Sequence, residues 1–258
     1  MSATAPALLQ VQNLGKRFGG VDAVRGVSFS LMPGCIAGLI GPNGAGKTTL
    51  FNCLAGALRP SSGQVLLNGR DITAWRPDAA FKAGLARTFQ IPRPFPEMTV
   101  LENVMLAPLG QLGERLWANW LRAGAVREQE DRTLAAARHW LDFVGLSALE
   151  NQSARVLSGG QRKLLELARV MVAQPQLVLL DEPGAGVNPA LLALIVDRIG
   201  ELNRQGVSFL IIEHNMDLVA SLCDPVMVMA QGELLTSGAA AEVLADPRVV
   251  EAYLGTAA

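Results

Sequence analysis

The chain has 258 residues, half of them hydrophobic, and a formal net charge of −1 at pH 7. That length suits one large domain or a core with an inserted lobe, and the near-neutral charge argues against a nucleic-acid partner. Its apolar runs are far shorter than the roughly 20 residues that span a bilayer, and its N-terminus lacks the pattern of a secretory signal, so we expect a cytoplasmic protein that covers apolar surface with partners.

The first segments predict an antiparallel β layer. Residues 8–14 alternate in the manner of an edge strand, and Gly19-Gly20 then marks a hairpin. A second alternating segment, residues 24–31, leads through a Pro-Gly turn to the next strand. Phe18 lies at the first hairpin, where an aromatic ring either packs in the ordinary way or stacks on a nucleobase.

The next segment carries the strongest signal in the sequence. A short apolar run at 35–40 reads as a buried strand, and residues 49–54 read as the first turns of a helix. Between them lies a phosphate-loop pattern of Gly, four residues and Gly-Lys-Ser/Thr, which with the residue after it comprises Gly41, Pro42, Asn43, Gly44, Ala45, Gly46, Lys47, Thr48 and Thr49. Glycines let backbone N–H groups converge on phosphate oxygens, and the helix N-terminus adds positive charge. In this template Lys47 reaches the β- and γ-phosphates and Thr48 ligates Mg²⁺, so we expect the chain to bind a nucleoside triphosphate with Mg²⁺.

A proline-rich loop then divides the chain. A strand and turn at 64–69 precede it, and three prolines between residues 92 and 96 break regular structure there. From Thr99 to about Ser153 the pattern is helical, and Thr99 with Glu102 predicts a capping box. We therefore expect an α-helical lobe inserted in an α/β core.

Two motifs follow the lobe. Leu157-Ser158-Gly159-Gly160-Gln161 precedes an amphipathic helix, with Ser158 as the N-cap and two glycines that leave the helix start open to an anion. Residues 176–182 form an apolar strand that ends in Asp181 and Glu182, the Walker B form. In that form the first acid helps to hold Mg²⁺ and the second activates the attacking water, whereas the alternative for two acids at a strand end is a helix cap.

The rest of the chain completes the core. A helix at 190–203 and a buried strand at 207–212 lead to Glu213-His214. His214 at this strand end is placed to hydrogen-bond the γ-phosphate or the catalytic water, although a lone histidine is more often a surface group. Residues 226–235 predict a closing hairpin, and residues 240–254 a short helical tail.

In this order the motifs resemble the nucleotide-binding subunit of an ATP-binding cassette (ABC) transporter over essentially the whole chain. The resemblance implies an α/β P-loop NTPase fold with a RecA-like core, an N-terminal antiparallel β layer and an inserted α-helical lobe. It implies three parts: residues 1–91 with the β layer and phosphate loop, residues 92–156 as the lobe that contacts the membrane subunit, and residues 157–258 with the signature helix, Walker B and the rest of the core.

The same resemblance assigns roles by position. Phe18 resembles the adenine-stacking aromatic residue, and Gln90 the Q-loop glutamine, which serves catalysis and the metal. Glu182 resembles the catalytic base and His214 the switch histidine. The signature, which contacts the γ-phosphate of ATP held by the opposite subunit, corresponds to Ser158, Gly159, Gly160 and Gln161.

Several stretches narrow the resemblance to the LivG-type ATPase of branched-chain amino acid importers. These stretches are residues 84–90, the long stretch that follows residues 101–105, and residues 157–166, 186–189 and 250–255. Such importers join two ATPases, often non-identical, to two membrane permease subunits and an external substrate-binding protein. The resemblance thus implies a peripheral protein on the cytoplasmic face of the bacterial inner or plasma membrane, with no nucleic-acid partner.

Two departures from the generic cassette and two alternative functions bear on this interpretation. Asn188 and Asn215 stand where Asp is frequent, but neither change removes a catalytic group, so we expect hydrolysis. A lipopolysaccharide-export cassette is similar in length, but residues 87–90 and the helical insertion after Met105 argue against it. A soluble cassette acting on DNA or ribosomes usually carries two cassettes, coiled coils or basic extensions, and the sequence shows none of these features. Transported molecules contact the other subunits and not this chain. For the solute, branched-chain amino acids are the family default, and polar or aromatic amino acids, amides and aromatic acids are the alternatives.

Overall fold

The structure, a computed structural model, describes residues 6–88, 94–108, 110 and 123–254. The chain divides into two compact units. Unit 1 comprises Met1–Gln90, Gln176–Ala185 and Ile199–Ala258, and unit 2 comprises Ile91–Pro175 and Gly186–Arg198. Within the described residues, none of the helices has both the length and the apolar character needed to cross a membrane.

One sheet of unit 1 is antiparallel and has four strands. They are β1 (Leu9–Phe18), β2 (Val21–Leu31), β4 (Ser62–Leu67) and β5 (Arg70–Asp71), in the order β2-β1-β4-β5. The first hairpin closes with Phe18 opposite Val21, as the glycine pair predicts. The expectation that the first strand is an edge strand is wrong, because β1 pairs with both β2 and β4. Alternation of apolar and polar residues indicates that one face of a strand is buried, but it does not indicate how many strands pair with it.

The second sheet of unit 1 has six strands and places the site. They are β3 (Ile36–Ile40), β6 (Leu85–Arg87), β7 (Leu177–Asp181), β8 (Ser208–Ile212), β9 (Val226–Ala230) and β10 (Glu233–Gly238), in the order β10-β9-β3-β8-β7-β6. Only β10 is antiparallel to its neighbour. Strands β3, β7 and β8 are buried along their whole length, which explains why their sequences are mostly apolar. Their carboxyl ends share one sheet edge, where open α/β sheets bind ligands.

Helices and short turns connect these strands. Among the described residues the helices are α1 (Lys47–Leu54), α2 (Pro77–Lys82), α3 (Val100–Met105), α4 (Ala123–Phe143), α5 (Gly159–Met171), α6 (Pro189–Arg204), α7 (Met216–Leu222), α8 (Ala240–Leu244) and α9 (Pro247–Leu254). In the part of the chain that the structure describes, 3₁₀ turns span Ser147–Leu149 and Ala154–Val156. The expected helical tail is two helices, because Pro247 starts α9 and cannot continue α8. In unit 1, Phe51 of α1 is fully buried in a core shared by both sheets.

Unit 2 is helical in its described residues. Thr99 caps α3 through the predicted capping box with Glu102. Helix α5 packs against α3 and α4, and its residues Leu164 and Leu165 are fully buried. For this reason α5 clusters with the helical unit, and the division of the chain at residues 91 and 156 stays a prediction. An amphipathic helix shows in sequence that it has a buried face, but it does not show against which element that face packs.

Candidate active site

The loop between β3 and α1 has the geometry of a phosphate cradle. Gly46 precedes α1 with φ 99°, and within this described loop and helix no side chain caps the helix start and no acid lies in its first turn. A Cβ on Gly41 (φ 145°) would lie 2.0 Å from the Met229 carbonyl oxygen, and one on Gly46 would lie 2.2 Å from that of Ala23. Only glycine fits at either position. The helix start therefore keeps its N–H groups and its positive end available to an anion.

Lys47 is the cation of this cradle. The residue is 6% exposed, and its Nζ donates hydrogen bonds to the carbonyl oxygens of Gly41 (2.6 Å) and Pro42 (2.9 Å). Burial lowers the pKa of Lys47, while the charges of Glu182 and Asp181 act to raise it. The other expected contact residues differ in exposure: Asn43, Gly44 and Thr48 are exposed, Thr49 is half-buried and Ala45 is buried.

Asp181 ends β7 with its carboxylate almost fully buried. Nη2 of Arg87 donates to Oδ2 of Asp181 at 3.1 Å, and Nη1 of Arg87 donates to Oδ1 of Asn52 on α1 at 2.5 Å. Burial raises the pKa of Asp181, and the hydrogen bond and charge of Arg87 oppose that rise, as does the charge of Lys47. Arg87 therefore holds the Walker B acid next to the phosphate-loop helix. The sequence analysis assigned Arg87 no role, because its two partners lie 35 and 94 residues away along the chain.

Glu182 and His214 form a close pair. Nε2 of His214 lies 2.9 Å from Oε1 of Glu182. The side chain of His214 is 39% exposed and that of Glu182 is 19% exposed. Glu182 has φ 50°, in the left-handed region that side chains other than glycine seldom adopt. Strained backbone of this kind is concentrated at functional sites. A carboxylate with an imidazole partner and access to water is the arrangement that a general base requires.

Glu213 connects the two loops that carry this pair, and the sequence analysis did not single it out. Its carboxylate is buried, and Oε1 accepts a hydrogen bond from the backbone N–H of Gly184 at 2.7 Å. Oε2 accepts from the N–H groups of His214 (2.9 Å) and Asn215 (3.3 Å). One side chain thus joins the turn after Glu182 to the backbone of His214. The available signal in the sequence was an acid directly after a buried, mostly apolar strand.

In unit 2 the signature motif begins a helix. Oγ of Ser158 accepts from the N–H of Gln161 at 3.3 Å, and Oε1 of Gln161 accepts from the N–H of Ser158 at 2.9 Å. This capping box confirms the predicted N-cap. Ser158 and Gly159 are exposed whereas Gly160 is buried, so the start of α5 is accessible to an anion from outside the chain.

The remaining expected residues fall outside these clusters. Phe18 ends β1 with 47% of its surface exposed, and Nζ of Lys16 lies 5.0 Å from its ring centroid. Its stacking on a base stays a prediction, and Gln90 lies outside the described residues. Asn188 and Asn215 keep acceptor roles, because their Oδ1 atoms accept from the N–H groups three residues on, in α6 and α7.

Two family models match the chain. The model described as ABC transporter matches residues 24–185, and the model described as branched-chain amino acid ATP-binding cassette transporter matches residues 233–258.

Similar curated proteins carry related names. A probable branched-chain amino acid transport ATP-binding protein LivG from Archaeoglobus fulgidus is 43% identical over 252 residues, which cover 96% of this chain and 95% of the relative. A high-affinity branched-chain amino acid transport ATP-binding protein LivG from Escherichia coli is 41% identical over 251 residues, covering 97% of this chain and 98% of the relative.

Solved structures show the same likeness. A nucleotide-free ATP-binding cassette from an ABC transporter has a TM-score of 0.85 and 37% identity, covering 97% of this chain and 100% of that one. The ADP conformation of an ATP-binding cassette of an ABC transporter has a TM-score of 0.84, with the same identity and coverage.

Proposed function

Since the chain belongs to the ABC transporter family and is an import ATPase of its branched-chain amino acid branch, we propose that it closes with a homologous ATPase subunit over ATP and thereby drives two membrane permease subunits. The observation that carries this proposal is the pairing of Glu182 with His214 in the same unit as the phosphate loop and its buried Lys47. A binding loop, a base and an orienting group are the parts that ATP hydrolysis requires.

ATP binds at the start of α1 in this proposal. The N–H groups of Gly44 and Gly46 surround the phosphates, and Lys47 exchanges its two bonds with loop carbonyls for bonds with phosphate oxygens. The exchange adds little desolvation cost because the ammonium group is already buried. Phe18 stacks on the adenine ring with its exposed face.

The chain's oxygen donors suit Mg²⁺, which prefers hard ligands and usually binds through one or two carboxylates together with substrate phosphates. The exposed hydroxyl of Thr48 and the carboxylate of Asp181 would hold the ion, with Gln90 as the third candidate. The ion neutralises charge on the β- and γ-phosphates when bound. Arg87 opposes the rise in pKa that burial causes at Asp181, and it holds the carboxylate in place for this task.

Glu182 then acts as the general base. Its carboxylate takes a proton from the water whose oxygen attacks the γ-phosphorus, and the leaving oxygen stays with ADP. His214 orients the carboxylate and the water through its Nε2. Because both loops are held by Glu213, the two side chains keep their relative placement during turnover.

The signature completes the site from the opposite subunit. Ser158, Gly159, Gly160 and Gln161 form the start of α5, whose positive end is accessible from outside the chain, and they contact the γ-phosphate of the ATP bound by the partner ATPase. Two composite sites result, related by a two-fold or pseudo-two-fold axis. ATP joins the subunits, and its hydrolysis removes the bridging contacts.

Beyond the ATPase pair, the proposal includes two permease subunits and a substrate-binding protein. The helical lobe at 92–156 contacts the permease subunits on the cytoplasmic face of the membrane. A binding protein on the outer side delivers branched-chain or related amino acids. The curated names and the match at 233–258 favour import over the alternatives of lipopolysaccharide export and a soluble cassette.

The pairing of subunits is tested with Glu182→Gln, which removes the base but keeps the shape of the site. With Mg-ATP the mass in solution should double from that of the 27.3 kDa chain, and with Mg-ADP it should not. Adding Lys47→Ala to the same chain is the control and should abolish the dimer. A variant that stays monomeric with Mg-ATP at every concentration would contradict self-pairing.

A further inference from the structure

Tyr253, in the last turn of α9, contacts the phosphate loop. Its hydroxyl accepts a hydrogen bond of 2.6 Å from the backbone N–H of Gly41, which is the first residue of that loop. Burial raises the pKa of the Tyr253 phenol, against the opposing effect of the Gly41 bond, so the hydroxyl stays neutral at physiological pH. Tyr253 is the only tyrosine in the chain.

Gly41 is held from three directions. The carbonyl group of Met229 lies against its Cα and leaves no room for a Cβ. Its own carbonyl oxygen accepts the 2.6 Å bond from Lys47, and its N–H donates to Tyr253. When Lys47 turns to the phosphates it gives up the first of these hydrogen bonds. The bond to Tyr253 is then the polar contact that fixes the Gly41 peptide.

The segment that carries Tyr253 is itself anchored beside the loop. Helix α9 packs on α8 and β10, and its Val249 is buried. The turn before β10 also contacts the loop, because the N–H of Gly232 donates to the carbonyl oxygen of Ala45 at 3.1 Å. The C-terminal segment therefore supports the phosphate loop at its first residue and again at its middle.

We propose that Tyr253 is a positioning residue for nucleotide binding, which fixes the backbone of Gly41 so that the phosphate loop keeps its open form after Lys47 leaves its carbonyl partners. This proposal rests on ATP binding at the loop, as proposed above. It also couples the end of the chain to the nucleotide: whatever displaces α9 weakens nucleotide binding, and nucleotide binding in turn stabilises α9. Tyr253 is bonded to the loop at Gly41 whereas the proposed base Glu182 is paired with His214, so we expect the chemical step to be unaffected.

The test is Tyr253→Phe, which deletes the hydroxyl and keeps the ring. Loss of one hydrogen bond from a half-buried N–H should weaken Mg-ATP and Mg-ADP binding about three- to tenfold. The dissociation constants are measured on the full chain with Glu182→Gln to prevent turnover, and kcat and KM with Glu182 intact. KM should rise in parallel while kcat stays within about twofold. Leu254→Ala is the matched control, since its neighbouring side chain is 80% exposed, and it should bind as the parent does.

A second measurement needs no substitution. Tyrosine labelled with ¹³C at Cζ gives a single resonance in this chain, and Mg-ADP should shift it if Tyr253 senses the loop. An unshifted resonance, unchanged affinity in Tyr253→Phe, or an equal loss in Leu254→Ala would overturn the inference. Failure of the parent chain to bind ATP at all would contradict the proposed function instead.

Discussion

Glu213 anchors the loops that carry Glu182 and His214, and the isosteric substitution Glu213→Gln tests this role separately from nucleotide binding. In Glu213→Gln an amide N–H₂ group replaces one of the oxygens that accept backbone N–H bonds, so at least one loop loses its anchor. We expect kcat to fall about tenfold or more, because the Glu182–His214 pair is misplaced, while KM for ATP is unchanged.

Steady-state kinetics over a range of ATP concentrations measures both constants for Glu213→Gln. Asp217→Asn is the control: it is the same change of acid to amide, four residues on, at an exposed position. A rise in KM with kcat intact would show that Glu213 supports binding and not the catalytic pair.

Arg87 gives a prediction that depends on pH. The side chains of Arg87 and Asp181 are only 11% and 3% exposed, so Arg87→Met leaves a buried carboxylate without its cation. We expect a loss of about 3 kcal/mol in the free energy of unfolding at pH 7.

The sign of the pH dependence follows from Asp181. Its pKa is already raised by burial, and removal of Arg87 raises it further. A raised pKa in the folded state contributes stability at low pH that is lost as pH rises through that pKa, so the deficit of the variant should shrink as pH falls from 7 towards 4. Urea unfolding at several pH values measures this. Arg76→Met, at an exposed ion pair, is the control and should cost nothing at any pH; an equal deficit for Arg87→Met at every pH would contradict the assignment.

At the residue scale the sequence predicts the side chains that stand inside motifs and misses those that support them. Glu182 and His214 were predicted as base and switch, and the structure brings them to 2.9 Å. Arg87 and Glu213 were assigned no role, because each acts through groups that are distant in sequence or on the backbone of a neighbouring loop.

At the scale of elements, the start of α5 offers two adjacent glycines in different surroundings. A Cβ on Gly159 would meet nothing within 4 Å among the described residues, whereas one on Gly160 would lie 2.8 Å from Cδ1 of Leu191 and 3.1 Å from Cγ1 of Val187. A glycine at position 160 is therefore needed for packing inside unit 2. At position 159 a glycine is needed only to leave room for a ligand that approaches from outside the chain, such as the partner's ATP.

The two alanine variants should separate these roles. Gly160→Ala should lower the free energy of unfolding by about 1 kcal/mol through overpacking. Gly159→Ala should leave stability equal or slightly higher, since alanine favours a helix, but should reduce ATP hydrolysis in the assembled dimer by obstructing the partner's ATP. Thermal unfolding and ATPase rates measure the two effects. Full activity in Gly159→Ala would contradict a ligand-facing signature.

Features that depend on residues close together in sequence could be predicted, whereas features that depend on pairing with distant segments could not. The capping box at Thr99 and the N-cap at Ser158 follow from local sequence and are confirmed. The inner position of β1 and the three-residue strand β6 depend on pairing with distant segments, and the first was predicted wrongly while the second was missed.

For the whole molecule, the order of the motifs predicts the fold class, which the neighbouring cassette structures confirm. The contacts that α5 makes with α3 and α4 join segments far apart in sequence, and no local pattern identifies these partners. The contact of Tyr253 with Gly41 spans 212 residues, and no local pattern announces it.

The central claim, an ATPase that drives membrane permeases, is tested most directly by identifying what the chain binds in the cell. The chain is expressed at its native level with an affinity tag, membranes are solubilised in mild detergent, and the co-purifying proteins are identified by mass spectrometry. We predict two polytopic membrane proteins and a second, similar ATPase. Recovery of the chain alone, or with ribosomes or DNA-bound proteins, would contradict the import function while leaving ATP hydrolysis at Lys47 and Glu182 intact.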